Sequence, residues 1–365
     1  MRVLILGGTV FVGRYIAAEA LHRGHSVTLF NRGSRPCPFP GVEVITGDRR
    51  RDLARLADRS WDACVDTSGY VPGQVHAAAA LLAAKGAHYT FVSTLSVYAD
   101  SHRAEFDESS PLETVAPAKL HDLEALEPKG SDPSYAYGGA YGALKALCEA
   151  AVAKAAHGHC LAVRAGVIVG PHDYTDLFTY WPTRVAEGGD VLAPGSPDSQ
   201  IQLIDVRDLA DWIVKNIEIA QTGTFNVTGP RIPIGTILKD CQEVANPTAR
   251  LVWVRDEFLA TAGVIPWVEI PLWIPATIDP GAAMRANTGA ASRVGLRCRP
   301  LRETIEATLA WDRTRSPTAH RMMGLTRGRE RELLEAWRAE ESLPMASSTQ
   351  ESSVPAVPLR MRRRR

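Results

Sequence analysis

Residues 3–13 read VLILGGTVFVG, and the fold of the whole chain turns on whether a strand, a tight turn and a helix follow one another there. The apolar run ends at Leu6, glycines stand at 7, 8 and 13, and an amphipathic pattern begins near Phe11 and stops at Gly24. Glycine permits the tight strand-to-helix turn and close packing of helix on strand, and a helix start offers N–H groups and a partial positive charge. This arrangement suits a pyrophosphate and designates Gly7, Thr9, Phe11, Val12 and Gly13 as dinucleotide-binding. Val10 stands where a GxxGxxG pattern would carry its middle glycine, so the turn must differ or hold the phosphates slightly further off. The bland alternative is a βα turn with no ligand.

The alternation continues outward from this unit. Strands are expected at 3–6, 26–30, 42–45, 62–67, 88–93 and 160–169, with helices near 11–23, 50–57, 74–85 and 139–156. Short apolar runs alternating with amphipathic helices predict an α/β fold: a doubly wound parallel sheet of Rossmann type with a smaller C-terminal substrate-binding region. After about residue 170 proline and tryptophan become frequent, as in VIPWVEIPLWIPATIDP, with strand-like QLIDV and TFNVT and helices near 207–219 and 300–311. The expected division is a dinucleotide-binding domain over 1–170 with interleaved segments near 200–230, a mainly substrate-binding region over 171–342, and a tail at 343–365. That tail lacks apolar periodicity and reads as disordered.

Composition narrows the function classes. The 365 residues are 45% hydrophobic, and Lys plus Arg equals Asp plus Glu at 41 each, so no global field favours nucleic acid or an anionic membrane. No apolar run approaches twenty residues, which argues against a membrane span. The six cysteines show no CxxC spacing and the chain opens without a basic-then-apolar leader; a reducing cytoplasm is the expected compartment. His172 and Asp173 lack partners at metal-ligand spacing, so no metal site is expected.

At the end of the second expected strand, LFNRGSR places Asn31 and Arg32 where a NAD-specific site carries an acid for the ribose hydroxyl. An arginine there suits a 2′-phosphate, with Arg35 as helper, so NADP is expected in preference to NAD. A solvated loop arginine is the competing reading. In TGDRRRD, Asp48 is placed to accept from the adenine amino group, or else opens a solvated helix start. Ser68, past the fourth strand, completes the cofactor candidates.

YGALKALCE at 141–149 sets Tyr141, Lys145 and Glu149 four apart on one helix face. Spacing alone is equally satisfied by a charged face with an ordinary Lys145–Glu149 pair. In order, however, GGTVFVG, NRG, GDRRRD, FVSTLSVYAD, YGALK and IDVRDLA resemble the extended and atypical short-chain dehydrogenases/reductases, which include nucleotide-sugar epimerases and dehydratases, over about residues 1–230. The resemblance implies an enzyme in which Tyr141 is the acid/base, Lys145 lowers its pKa and binds the nicotinamide ribose, and Thr94 hydrogen-bonds the reacting oxygen, with Ser93 and Ser96 as neighbours able to substitute. Free tyrosine titrates near 10, so a nearby cation is needed for base chemistry at neutral pH.

The resemblance further implies a substrate loop after the sixth strand. His172, Asp173, Tyr174, Asp176, Tyr180 and Arg184 are its candidates, joined by Ser96 and by Asp205 and Arg207 of IDVRDLA. Ala165 stands where that family shows a proline. Trp267 and Trp273 either wall an apolar substrate or fill the second region's core. A small-molecule substrate and a homodimer through a helix bundle are implied. Two other roles occur on this fold, RNA binding or processing and NADP sensing without catalysis; the neutral charge argues against the first and the Tyr141–Lys145 pair against both.

Overall fold

Val3 and Ile5 face one side of the first strand, Leu4 and Leu6 the other, and all four are buried. A strand apolar on both faces needs helices on both, which is the demand of a parallel sheet. The computed structural model describes residues 1–99, 105–126, 134–278, 285–316 and 318–342; the expected tail at 343–365 lies outside the described residues.

The first half runs β1 (Arg2–Leu6), α1 (Phe11–His22), β2 (Ser26–Asn31), β3 (Glu43–Thr46), β4 (Ala63–Asp66), α2 (Pro72–Ala83), β5 (His88–Thr94), α3 (Pro117–Glu124), α4 (Ser134–Tyr137), α5 (Tyr141–Ala155) and β6 (Cys160–Ala165). There follow β7 (Val167–Val169), α6 (Tyr180–Ala186), β8 (Asp190–Pro194), β9 (Gln200–Asp205), α7 (Val206–Glu218), β10 (Gly223–Val227), β11 (Arg231–Pro233), α8 (Ile234–Ala245), β12 (Arg250–Val254), α9 (Asp256–Thr261), α10 (Gly289–Arg293), α11 (Leu301–Asp312) and α12 (Arg327–Ser342).

Seven strands form one sheet in the order β10-β6-β5-β4-β1-β2-β3, every adjacent pair parallel. The direction of winding reverses between β1 and β4, and ligands of such sheets bind beyond the strand ends at that point. One face is covered by α1 and α7 through Ile16, Ala17, Leu209, Trp212 and Ile213. The other is covered by α2 and α5 through Val75, Ala79, Leu82, Cys148 and Val152. Each fully buried Leu, Ile or Val contributes roughly 1.5–3 kcal/mol relative to exposure.

Two expected elements differ. The run 160–169 is two strands in two sheets, broken at Gly166, where an added side chain would lie 2.3 Å from Thr228 Oγ1. The helix expected at 50–57 is a short 3₁₀ turn at Leu53–Leu56. Asp52 accepts the Asp48 N–H at 2.8 Å, and only Leu56 of that turn is buried, so the segment has no apolar stripe to extend it.

Beyond Gly166 the chain builds a second layer: a sheet β11-β9-β7 and a parallel pair β12-β8. Their core includes Phe178, Trp181, Ile237, Leu238 and Trp273. Trp273 is buried with its Nε1 donating to Asp256 Oδ1 at 2.8 Å, and Trp267 packs partly buried on the same cluster. Both tryptophans therefore belong to the core. No helix among the described residues is long and apolar enough to cross a membrane.

Candidate active site

The turn after β1 is built by its glycines. Gly7 and Gly8 adopt φ of +112° and +92°, and a Cβ on Gly13 would fall 2.7 Å from Gly8 N, so helix and turn touch backbone to backbone. Val10 sits at the N-cap of α1 with extended φ of −125°. No glycine is needed at that position. The cap makes no side-chain hydrogen bond and the first turn carries no acid, which leaves the N–H groups of a twelve-residue helix pointing out of its start. Phe11 opens the helix at φ of +30°, a conformation sparsely populated outside glycine.

These groups border a cleft of about 320 Å³ at the winding reversal. Its wall includes Gly7, Thr9, Phe11, Val12, Gly13, Asn31, Arg32, Arg35, Asp48 and Ser68, so all the expected cofactor residues other than Lys145 converge. Asn31 also ties β2 to the turn, its Nδ2 donating to Gly7 O at 3.2 Å and its Oδ1 accepting from Gly33 N at 2.9 Å. Arg32 and Arg35 are exposed on the rim. Asp48 is engaged by Arg50 at 2.9 Å, a hydrogen bond that holds its carboxyl below the usual range, so an adenine amino group would have to share that carboxylate. Ser68 Oγ donates to Leu6 O at 3.2 Å.

Arg49 is inconspicuous in the sequence, one of three consecutive arginines. Its guanidinium grips Asp66 at 2.8 Å through both nitrogens, and Tyr89 donates to the same carboxylate at 2.8 Å. Burial works against both charges, but the pairing prevails: Asp66 is lowered and Arg49 raised. Thr67, Tyr70, Gln74, Leu126 and Tyr137 also stand on the cleft wall and were not expected from the sequence. Thr67 and Tyr70 follow β4 at the winding reversal, a signal that topology would have supplied.

Tyr141 opens α5, partly buried, its ring 6.3 Å from that of Tyr70. One turn on, Lys145 is buried, with Nζ donating to Gly69 O at 2.8 Å and Val92 O at 2.7 Å. Burial pulls its pKa down to about 8. Its ammonium lies 4.1 Å from the ring centre of Phe91 and 5.3 Å from that of Tyr70. The Lys145–Glu149 pair of the bland reading does not form. Glu149 is instead buried against Arg164 at 2.7 Å and accepts from Ser93 Oγ at 2.5 Å. Ser93 thus faces the interior and cannot stand in for Thr94. Thr94 ends β5, donates to Ser96 Oγ at 3.2 Å and accepts from Ser96 N at 3.1 Å, which places the exposed Ser96 beside it.

The loop after β7 divides sharply. Tyr174 reaches the cleft wall. His172, at φ of +67°, lies between the rings of Tyr15 and Trp311 at 6.0 and 5.3 Å, and burial, aided by Arg14, lowers its pKa to about 4. Asp173 is buried, its Oδ1 accepting from Thr175 N and Oγ1, and burial raises it to about 6. Asp176 accepts from Arg315, from Arg321 at 3.3 Å and from Met322 N at 3.0 Å. Tyr180 is wedged under Gly324, where an added Cβ would meet it at 2.2 Å. Arg184 does not face the cleft: it is 3% exposed, bound to Glu330 at 2.7 Å and to Gly188 O and Asp190 O. Arg207 is likewise taken up by Asp205, the N-cap of α7, at 2.6 Å.

Residues 3–228 match the family model described as the NAD dependent epimerase/dehydratase family. The chain belongs to that family. Its members bind a nicotinamide dinucleotide, and the glycine cradle with its uncapped helix start fits the pyrophosphate of such a group. Among curated proteins, the chain is 24% identical over 251 residues to the chloroplast stem-loop binding protein of 41 kDa b of Arabidopsis thaliana, a match covering 63% of this chain and 59% of that relative. UDP-N-acetylglucosamine 4-epimerase of Bacillus cereus superposes with a TM-score of 0.62 at 12% identity, over 87% of this chain and 99% of that one. The enzyme WbmH of Bordetella bronchiseptica, solved with NAD+, superposes at 0.59 with 16% identity, over 86% and 98%. At these identities the two structures establish the shared fold.

Proposed function

We propose that this protein is an NADP-dependent oxidoreductase or epimerase acting on a carbonyl or alcohol carbon of a small molecule. The observation that carries the reading is Tyr141 and Lys145 on one face of α5, with the rings of Tyr70 and Tyr137 joining them to the dinucleotide cleft. The glycine turn and the start of α1 hold the pyrophosphate, and Arg32 and Arg35 on the rim take the 2′-phosphate; no acid stands at the end of β2 to repel it.

The bound nicotinamide supplies the hydride donor or acceptor. Tyr141 gives a proton to the substrate oxygen in reduction and removes it in oxidation. Lys145 favours the phenolate by its charge, and two of its N–H groups are fixed on Gly69 O and Val92 O so that it cannot drift away. Thr94 hydrogen-bonds the same oxygen, its hydroxyl oriented by the turn to Ser96. Tyr174 and Ser96 are the proposed contacts to the remainder of the substrate. A screen of carbonyl and hydroxyl compounds, followed by NADPH absorbance, tests the reading; no binding of NADPH or NADH would overturn it.

A second reading rests on the Arabidopsis relative, whose name describes stem-loop binding: an RNA-binding protein on this fold. Its affinity would fall with salt at a slope near −0.7 per phosphate neutralised on single strands. Titration with a stem-loop RNA at two salt concentrations distinguishes the two, since the first reading gives weak binding carried by the arginine-rich end at 343–365.

A further inference from the structure

The end of β2 carries no acid, but the loop after its neighbour β3 carries one on the same cleft wall. Asn31 and Thr46 are paired in register, and Gly47 N donates to Asn31 O at 2.8 Å. Arg32 and Asp48 are the residues that follow this hydrogen bond on the two strands, and both line the cleft. Neighbouring strands lie about 4.8 Å apart, well inside the roughly 10 Å over which charges act at 0.1 M salt. A bare carboxylate at Asp48 would therefore repel a phosphate held by Arg32, and would draw Arg32 to itself.

Arg50 meets that carboxylate on both oxygens. Its backbone N donates to Asp48 Oδ1 at 2.9 Å, its Nε lies 3.2 Å from each oxygen, and its Nη2 donates to Oδ2 at 2.9 Å. Arg49, one residue earlier, turns away to Asp66, and the nearby Asp52 is engaged by the Asp48 N–H at 2.8 Å and faces Arg55 at 3.8 Å. A rim ion pair two residues apart adds little to stability. Its consequence lies in where it stands, since Arg50 also lines the cleft.

We propose that Arg50 is a specificity-determining residue that acts through Asp48: it neutralises the carboxylate after β3, so that a ribose 2′-phosphate binds at Arg32 and Arg35 without repulsion. The inference rests on the NADP reading of those two arginines and deepens it. Arg32 reads the phosphate directly; Arg50 removes the charge that would oppose it.

The test titrates NADPH and NADH separately into the parent, Arg50→Ala, Asp48→Asn and the double variant at low salt. The readout is the Kd for NADPH divided by the Kd for NADH, in which a lost adenine contact or a loosened turn cancels because it weakens both cofactors alike. In Arg50→Ala this ratio should rise about tenfold over the parent, the scale of one uncompensated like charge beside a bound anion. On the Asp48→Asn background, where no carboxylate is left to neutralise, adding Arg50→Ala should change the ratio less than about threefold. An unchanged ratio in Arg50→Ala overturns the inference. A tenfold rise that persists on Asp48→Asn also overturns it, and makes Arg50 a direct contact of the phosphate. Equal affinity of the parent for the two cofactors removes the NADP assignment but leaves the change of ratio in Arg50→Ala to be read, so the two failures are distinguishable.

Discussion

The dinucleotide half and the second layer use their arginines differently. Around the cleft, Arg49 is spent on the core and Arg32 and Arg35 stay on an exposed rim. In the second layer, Arg184, Arg315, Arg321 and Arg327 all close ion pairs with carboxylates brought from elsewhere in the chain or from the neighbouring turn, and Arg207 and Arg299 do the same around the start of α7. The cleft rim keeps two arginines available for a ligand, while the second layer uses charge to hold together short strands and long connections. A cationic residue in a substrate-loop position is therefore no guide to binding until its partner is known.

The contrast can be broken first at Tyr141. Tyr141→Phe should lower the rate about 10²–10⁴-fold, the usual share of acid–base catalysis, with NADPH affinity and melting temperature near the parent. Lys145→Met should lose rate and cofactor affinity together. Full turnover by Tyr141→Phe would move the acid elsewhere, with Thr94 the next candidate.

Arg184→Ala tests the opposite half. Removing one member of a buried pair leaves Glu330, among the described residues, with Arg327 and the Leu192 N–H, and the loss should be about 3 kcal/mol in chemical denaturation. NADPH titration should be unchanged. Weaker cofactor binding in a stable variant would show that the second layer's pairs reach the cleft after all.

Arg32→Ala is expected to cost about 1.5–3 kcal/mol of NADPH affinity, the worth of a charged hydrogen bond, and to leave NADH near the parent. Equal titration curves for the two cofactors in the unmodified protein would remove the NADP assignment.

The smallest effect is a pH dependence. Burial holds His172 at about 4 against 6.5 for the unfolded residue, so between those values the unfolded chain binds the extra proton and stability falls as the pH drops. Asp173, raised to about 6, acts in the opposite sense: the folded state keeps its proton better between 3.8 and 6, and that contribution is lost as the pH rises. His172→Gln should therefore lose less melting temperature than the parent between pH 6.5 and 4. An unchanged acid slope would mean that the ring is solvated.

Much of the first half was legible from local chemistry. Strands β1 to β5 lie within two residues of their expected ends, since alternating burial on two faces leaves an apolar run bounded by glycine and polar turns, and the glycines at 7, 8 and 13 announce the turn whatever the rest of the chain does. The cleft wall was readable for the same reason, because those residues sit at strand ends where the topology rule puts ligands. Less was legible where the decisive contact is distant. Arg184 and Glu330 are 146 residues apart, and nothing near Arg184 marks it as buried. The break at Gly166 depends on Thr228 arriving from β10's end.

The sequence by itself determined the parallel sheet, the glycine turn and the i,i+4 spacing of Tyr141 and Lys145, because each follows from backbone sterics and side-chain periodicity within a few residues. Tertiary structure alone decided which charges remain available: it buried Glu149 on Arg164, Arg49 on Asp66 and Arg184 on Glu330, and it set the ring of Tyr70 on the cleft wall 5.3 Å from Lys145 Nζ. The physical reason is that the cost of burying a charge is met only by a partner in contact, and contact between distant segments is a property of the packed chain.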